Sequence, residues 1–424
     1  MTERFECVEI LKNIVNQKLF YNAIKSATIP KNMAFCNMLV LSVLRNYSSL
    51  EKIVEKFVIR KFSKKNEILK FVLLCATAEL LLLESPDYAV INEYVNIAKK
   101  KTDKFAANMV NAVLRNVVRQ KNDLSLTPFM PKNFYKILEK DYSGEQIKKI
   151  AQISIKESPL DISVKENHKL WEKELNGILI ANGTIRIENA KSKISELKGF
   201  EEGAWWVQDL AASLPIMLLE DVRGKKVLDL CAAPGGKTAQ LLAKGAIVTA
   251  VDVDASRMEK LKENMKRLKL EQNLTTKVCE GVEFLQQHKN VFDIIVLDAP
   301  CSATGTFRKH PEVLLIKDNE DIKKMLPLQE KMLLAAAESL NKNGTLLYCT
   351  CSISKSEGEN QIKRFLQNNN NFELQKICID KLNVYSEKKL PEFIIDNTVL
   401  RTLPYYMEDI GGMDSFFAAC LKKK

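Results

Sequence analysis

A chain of 424 residues is too long for one ordinary domain, so two or three are expected. A hydrophobic share of 46% beside 28% charged residues excludes a disordered or fibrous chain. Lys+Arg 64 against Asp+Glu 53 leaves a net charge of +11, a balance that suits a polyanionic partner such as nucleic acid.

Residues 1–125 are predicted to be helical throughout. FECVEILKNIVNQKLFYNAI, KNMAFCNMLVLSVLRNYSSL and NEYVNIAKKKTDKFAANMVNAVLRNVVRQ place apolar residues three and four apart. MTERFECVEI mixes charges from the start, so no leader is expected. The most apolar stretch, Phe71 to Leu83, is interrupted by Glu79 and is too short to span a bilayer; it reads as a buried helix. Lys99, Lys100, Lys101, Lys104, Arg115 and Arg119 form either a solvated face or an RNA-facing one. NDLSLTPFMPKN, with Pro128 and Pro131, reads as a linker. SPLDISVK, NHKLWEKELNG and ILIANGTIRIE then suggest strand, helix and strand, with a turn at Asn182-Gly183.

From residue 201 onward strands and helices alternate. KKVLDL, AIVTAVDVD, FDIIVLDAP and GTLLYCTCS are apolar runs, separated by TAQLLAK, SRMEKLKENMKRLKL and LPLQEKMLLAAAESL. Such alternation predicts a parallel, doubly wound sheet with ligands at the carboxyl ends of its strands. DLCAAPGGKT (229–238) is not a phosphate loop, because Cys231 stands where that motif needs Gly. It reads instead as the first strand-to-helix turn of a nucleoside site. Gly235 and Gly236 let the backbone approach the ligand, and Asp252, about 20 residues on, holds the ribose.

Two cysteines stand at neighbouring strand ends, in DAPCSATGTFRKHPE (298–312) and YCTCS (348–352). Carbon 5 of cytosine is too weakly nucleophilic to take a methyl group directly. A thiolate added at carbon 6 makes the ring an enamine whose carbon 5 can attack S-adenosylmethionine. A base must then strip the carbon 5 proton before the thiolate leaves. Asp298 is placed to hydrogen-bond the ring and stabilise the enamine. The ten cysteines lack paired CxxC spacings and there are three His, so no metal and a reducing cytoplasm are expected.

DLCAAPGGKT, DAPCSATGTFRKHPE and LLYCTCSISKSEGEN together resemble the RsmB/NOP (Sun) family of RNA cytosine-C5 methyltransferases. FEEGAWWVQDLAAS (200–213) resembles that family's first motif, and INEYVNIAKK with NMVNAVLRNV resembles the NusB-like domain of the bacterial RsmB branch, which modifies 16S ribosomal RNA. The resemblance implies an α/β fold: an all-α NusB-like RNA-binding domain at 1–125, a linker and small α/β connector at 126–200, and a Rossmann-like methyltransferase domain at 201–424. It implies Cys351 as nucleophile and Cys301 as the group promoting product release. S-adenosyl-L-methionine would be held by Cys231, Ala232, Ala233, Pro234, Gly235, Gly236, Lys237, Asp252 and Asp298.

Several positions depart from the family pattern. Val282 replaces the usual Asp near the adenine, leaving Glu280 or Glu283 to supply that contact. Ser415 stands for Gly, Ser163 for a connector Arg, and EGEN (357–360) for the commoner Glu-Glu-Asn-Glu. Arg308, Lys309 and His310 are expected to touch RNA, and the target cytosine to lie in a loop or bulge. The expected molecule is a cytoplasmic monomer, acting on 16S ribosomal RNA without membrane or metal. The alternatives are a tRNA methyltransferase of the same chemistry and an RNA-binding factor with a dead catalytic domain. A DNA methyltransferase is disfavoured, because it would leave Cys351 without a task.

Overall fold

The computed structural model describes residues 2–27, 30, 32–58, 62, 66–181, 183–188, 192–378, 382 and 393–424. Asn182 of the expected Asn-Gly turn lies outside them. The chain forms two compact units, Met1–Lys156 with Phe307–Asp318, and Glu157–Thr306 with Asn319–Lys424.

The first unit is helical. Its central helix, Ile68–Leu82, is buried on almost every side. Glu79 survives buried in its last turn because Arg4 reaches it with hydrogen bonds of 3.0 and 2.5 Å and the Tyr94 hydroxyl donates at 3.1 Å. A buried charge so paired is not left uncompensated. The basic segment read as continuous is two helices, Asp87–Lys101 and Lys104–Arg119. Asp103 restarts the helix by accepting from the Ala106 amide at 2.8 Å. Two further helices, Lys132–Leu138 and Gly144–Ser154, follow the Pro128/Pro131 stretch, within residues read in sequence as linker and connector. Ser143 and Gln146 form a reciprocal capping box at the second, a signal present in the sequence.

Residues 307–318 complete this helical unit. Phe307 packs edge-on against Phe134 at 5.7 Å, and Ile316 joins the core of the helices. The buried Glu312 carboxylate accepts from the Tyr21 amide at 3.1 Å. Arg308 is 1% exposed. This corrects its expected role: an interior guanidinium cannot touch an RNA backbone, and the HPEVLLI segment that pulls it inward reads in sequence as an ordinary loop.

The second unit holds two sheets. β1 (Leu160–Val164), β2 (Ile178–Ala181), β3 (Thr184–Ile187) and β4 (Trp205–Val207) form an antiparallel sheet in the order β2-β3-β1-β4. Asp161 and Arg186 pair across it through two 2.8 Å hydrogen bonds, both fully buried. Ser163 is also buried, its hydroxyl donating to Gln208 at 2.9 Å.

The larger sheet contains β5 (Lys226–Leu230), β6 (Ile247–Asp252), β7 (Leu274–Val278), β8 (Phe292–Asp298), β9 (Leu340–Thr350), β10 (Phe372–Leu374), β11 (Ile394–Ile395), β12 (Val399–Thr402) and β13 (Phe416–Lys423). Its order is β11-β12-β13-β9-β8-β5-β6-β7, with β10 beside β13. Strands β5 to β9 run parallel, with alternating helices, as the sequence predicts. The sheet as a whole is mixed: β13 lies antiparallel between β9 and β12. Its interior residues are buried on both faces, so it reads as an apolar run, and periodicity carries no information about direction.

Candidate active site

The turn after β5 is shaped by backbone geometry. Cys231 sits at φ 59 and Gly235 at φ 106, both in the left-handed region, which glycine enters without steric cost. A Cβ on Gly235 would meet the buried Leu261 at 2.9 Å, so a side chain there would push the turn off the helix packed beneath it. The Ala232 amide donates to the Val251 carbonyl at 3.1 Å, binding the turn to β6. At the end of β6 the buried Asp252 carboxylate accepts from the amides of Ala233 (3.1 Å) and Asp254 (3.0 Å). A carboxylate has about four lone-pair positions, so Asp252 can still accept from a ligand. Arg257, absent from the sequence reading, donates to the Ala233 carbonyl and stands 3.8 Å from Asp252.

Asp229, inside β5, accepts from the Thr238 hydroxyl at 2.6 Å, while its Oδ1 has no hydrogen-bond partner. Burial pushes its carboxyl up to about 7 against the opposing effect of Thr238. Lys237 turns away from the pocket and pairs with Asp298 at 2.8 Å. Burial is the largest effect and works against its charge, but the surrounding acidic groups, Asp298 foremost, together raise its pKa.

The two thiols meet. Asp298 ends β8 opposite Cys349 of β9, and Cys301 and Cys351 stand just beyond the two strand ends with their sulfurs 3.3 Å apart. The hydrogen bond to Cys351, reinforced by burial, holds the Cys301 thiol well above its ordinary range. Cys301 therefore keeps its proton at neutral pH. Cys349 points into the core, where burial pushes its thiol far up, and burial raises Cys231 to about 12. Neither is a nucleophile at neutral pH.

The loops carrying the thiols are fastened by Glu357, a residue the sequence reading named only within a motif. Its buried carboxylate accepts from the Ser302 amide (2.9 Å), the Ser302 and Ser352 hydroxyls (2.5 Å each) and the Gln329 amide group (3.0 Å). Ser302 and Ser352 each follow one of the cysteines. Gly305 adds a second fastening: its amide donates to the Cys351 carbonyl at 2.9 Å, and its carbonyl accepts from Ser415 at 3.0 Å. A Cβ on Gly305 would strike the Ser415 carbonyl oxygen, which is why no side chain fits there. The Ser415 hydroxyl is itself satisfied, donating to Thr402 at 2.9 Å.

A pocket of about 500 Å³ joins these parts, a volume typical of small-molecule sites. Its walls include Cys351, Cys301 and Asp298 at one end, Cys231, Ala233 and Asp252 in the middle, and Cys279, Glu280, Gly281 and Val282 at the other. Of the expected cofactor residues, Ala232, Pro234, Gly235, Gly236 and Lys237 do not line it; Ala232 and Gly235 fix the turn and Lys237 holds Asp298. Glu283 does not line it either. In the helical unit, Lys99, Lys100, Lys101, Lys104, Arg115 and Arg119 are all exposed, beside an 84% exposed Phe105. Among the described residues no group of three or more His, Cys, Asp or Glu side chains could hold a metal, and no helix is long and apolar enough to cross a membrane.

Residues 216–422 match the 16S rRNA methyltransferase RsmB/F family, and residues 2–119 match the NusB family. The ribosomal RNA small subunit methyltransferase B of Photorhabdus laumondii is 31% identical over 452 aligned positions, 100% of both chains. Its counterpart in an Escherichia coli O127:H6 strain is 33% identical over 366 positions, covering 81% of this chain and 84% of the relative. The crystal structure of PH0851 shares the fold, with a TM-score of 0.74 at 21% identity over 100% of this chain and 99% of that one. NSun6 from Pyrococcus horikoshii matches at TM-score 0.59 and 21% identity, covering 70% of this chain and 99% of its own. The cofactor of such a methyltransferase is S-adenosylmethionine, and the pocket beside the turn after β5, with the acceptor Asp252 in its wall, fits its nucleoside. The chain belongs to the RsmB/F family of S-adenosylmethionine-dependent RNA methyltransferases, in its ribosomal RNA small subunit methyltransferase B branch, with a NusB-like helical domain ahead of the Rossmann-like one.

Proposed function

We propose that this protein methylates carbon 5 of a cytosine in 16S ribosomal RNA through a covalent bond between Cys351 and carbon 6. The observation that carries the reading is the pair of sulfurs 3.3 Å apart at adjacent strand ends, in the same pocket as Asp252 and Asp298. S-adenosylmethionine supplies an electrophilic methyl group. The Cys351 sulfur would bond to carbon 6, making carbon 5 nucleophilic; carbon 5 would then take the methyl as the cofactor's sulfur–methyl bond breaks, leaving S-adenosylhomocysteine. Asp298, 32% exposed at its side chain and held by Lys237, accepts from the ring's amino edge as charge develops. A base then removes the carbon 5 proton, the sulfur–carbon 6 bond breaks, and Cys301 promotes this release. A sulfur that keeps its proton is the poorer nucleophile, which argues against Cys301 as the attacking group.

The substrate base is splayed from a loop or bulge, and the exposed basic helices of the NusB-like unit contact the RNA backbone. The protein acts as a monomer in the cytoplasm, without a metal. Trapping tests the chemistry. Cys301→Ala should accumulate a denaturant-resistant protein–RNA complex on a denaturing gel, while Cys351→Ala and the double variant should form none. The opposite pattern exchanges the two roles, and trapping in neither single variant removes the two-thiol mechanism. Bisulfite mapping of ribosomal RNA from cells lacking the protein should show one unprotected cytosine; an unchanged map would overturn the substrate.

A further inference from the structure

Two pairs of cysteines bring their sulfurs together among the described residues. Cys7 and Cys36 of the helical unit stand 3.2 Å apart, and Cys301 and Cys351 stand 3.3 Å apart. The pairs differ in access. Cys7 and Cys36 are each 0% exposed, sealed in the core of the helices. Cys301 and Cys351 are partly exposed and line the pocket, where a small polar reagent can reach them. A disulfide needs its sulfurs at about 2.05 Å, so the pocket pair is a short side-chain movement from bonding. The backbone holds it in that position. Ser302 and Ser352, which follow the two cysteines, share the Glu357 carboxylate, and the Gly305 amide grips the Cys351 carbonyl. Cys349 lies near in sequence but is 0% exposed and points into the core, so Cys301 is the thiol in contact with Cys351. An accessible reactive thiol exposed to peroxide becomes a sulfenic acid. With a second thiol beside it the sulfenic acid condenses to a disulfide, and without one it goes on to sulfinic acid, which is not recovered by thiols.

We propose that hydrogen peroxide converts Cys301 and Cys351 into a reversible intramolecular disulfide that halts methyl transfer, with Cys301 as the resolving thiol. In the first step the Cys351 sulfur attacks one peroxide oxygen, the oxygen–oxygen bond breaks, and the second oxygen leaves as water, giving the sulfenic acid. In the next step the Cys301 sulfur attacks the Cys351 sulfur. The sulfur–oxygen bond breaks, and the hydroxyl leaves with the Cys301 proton as a second water. One peroxide is reduced to two waters and two thiols are oxidised to one disulfide. Cellular dithiols reverse the bond by exchange. Cys301 thereby shields Cys351 from irreversible oxidation, a task separate from product release. Formation of the bond follows from the contact between the sulfurs; its effect on methyl transfer rests on the assignment of Cys351 as the nucleophile.

Treatment of the full chain with hydrogen peroxide in the absence of RNA tests this, with free thiols blocked afterwards and the peptides mapped by mass spectrometry. A peptide linked through Cys301 and Cys351 should form first, while the sealed Cys7 and Cys36 stay reduced until the protein is unfolded. Methyl transfer to ribosomal RNA should fall in proportion to the linked fraction and return after dithiothreitol. In Cys301→Ala and in the closer-sized Cys301→Ser, Cys351 should instead reach sulfinic acid, which dithiothreitol leaves in place. These variants are read by mass alone, because Cys301 belongs to the catalytic machinery. Sulfinic acid at Cys351 of the unaltered protein without any linkage, earlier linkage of Cys7 to Cys36, or equal resistance of Cys351 to peroxide with and without Cys301 would each overturn the proposal. None of these readings involves RNA, so failure of the cytosine assignment would show in the trapping and mapping experiments instead. Linkage that left methyl transfer undiminished would overturn the halt, and the trapping gel would then show no adduct at Cys351.

Discussion

Glu357 gathers four hydrogen bonds from residues that follow or support both thiols. Replacing it with Ala would leave the Ser302 amide, two hydroxyls and the Gln329 amide group buried without their acceptor, each costing about 1–3 kcal/mol if unmet. The loops would relax by small shifts, and nucleophilic attack tolerates little misplacement. Glu357→Ala should lower the methyl-transfer rate by about a hundredfold or more while S-adenosylhomocysteine affinity stays within a few-fold, since the Asp252 end is untouched. Glu357→Gln should recover part of the rate. Equal losses of rate and cofactor affinity would make Glu357 a general stabiliser rather than a positioning residue. Nothing in SISKSEGEN announces this role. An acidic residue in a polar loop reads as solvated, and Glu357 becomes interior only because Ser302, 55 positions away, folds onto it. The thiols and Asp298 were legible for the opposite reason: each follows an apolar run whose end is fixed locally.

At the scale of elements, β5 carries a strain of charge rather than of backbone. Asp229 is buried, its Oδ1 unpartnered, and its carboxyl lies near 7 instead of the ordinary 3.8. A raised acid pKa means that the native protein holds a proton which the unfolded chain has already released. Stability contributed by this group is therefore full below about pH 4 and is lost as pH rises toward about 7. Asp229→Asn keeps an acceptor for Thr238 and removes the titration. Urea unfolding of both proteins at about pH 5 and about pH 8 should show a shallower fall in stability for the variant. Parallel falls would mean that Asp229 does not titrate in this window. The parallel strands themselves were readable, because a crossover helix after each strand leaves a periodic signature. The antiparallel β13 was not, since a buried run has the same pattern in either direction.

At the scale of the molecule, the chain leaves the catalytic unit at Thr306, contributes 307–318 to the helical unit, and returns at Asn319. Phe307, Val313, Leu314 and Ile316 are each no more than 3% exposed there. Deleting residues 1–125 strips away the helices that cover part of this segment. Trypsin should then cut at Arg308, Lys309 or Lys317, bonds that the intact protein protects, and cleavage mapped by mass spectrometry should appear within the first minutes. Equal protection in both proteins would show that 307–318 is stable without the helices. Motif reading could not find this arrangement, because FRKHPE belongs in sequence to the catalytic loop and only its burial assigns it to the other unit.

The same crossing bears on inheritance. A domain joined by a single linker can be exchanged by one recombination event at that linker. Here a donor that supplied a foreign helical region would meet a resident twelve-residue strip, Phe307–Asp318, already shaped to the helices it had lost. The two parts must therefore change together, and divergence in the helical core should be accompanied by compensating change just downstream of Cys301.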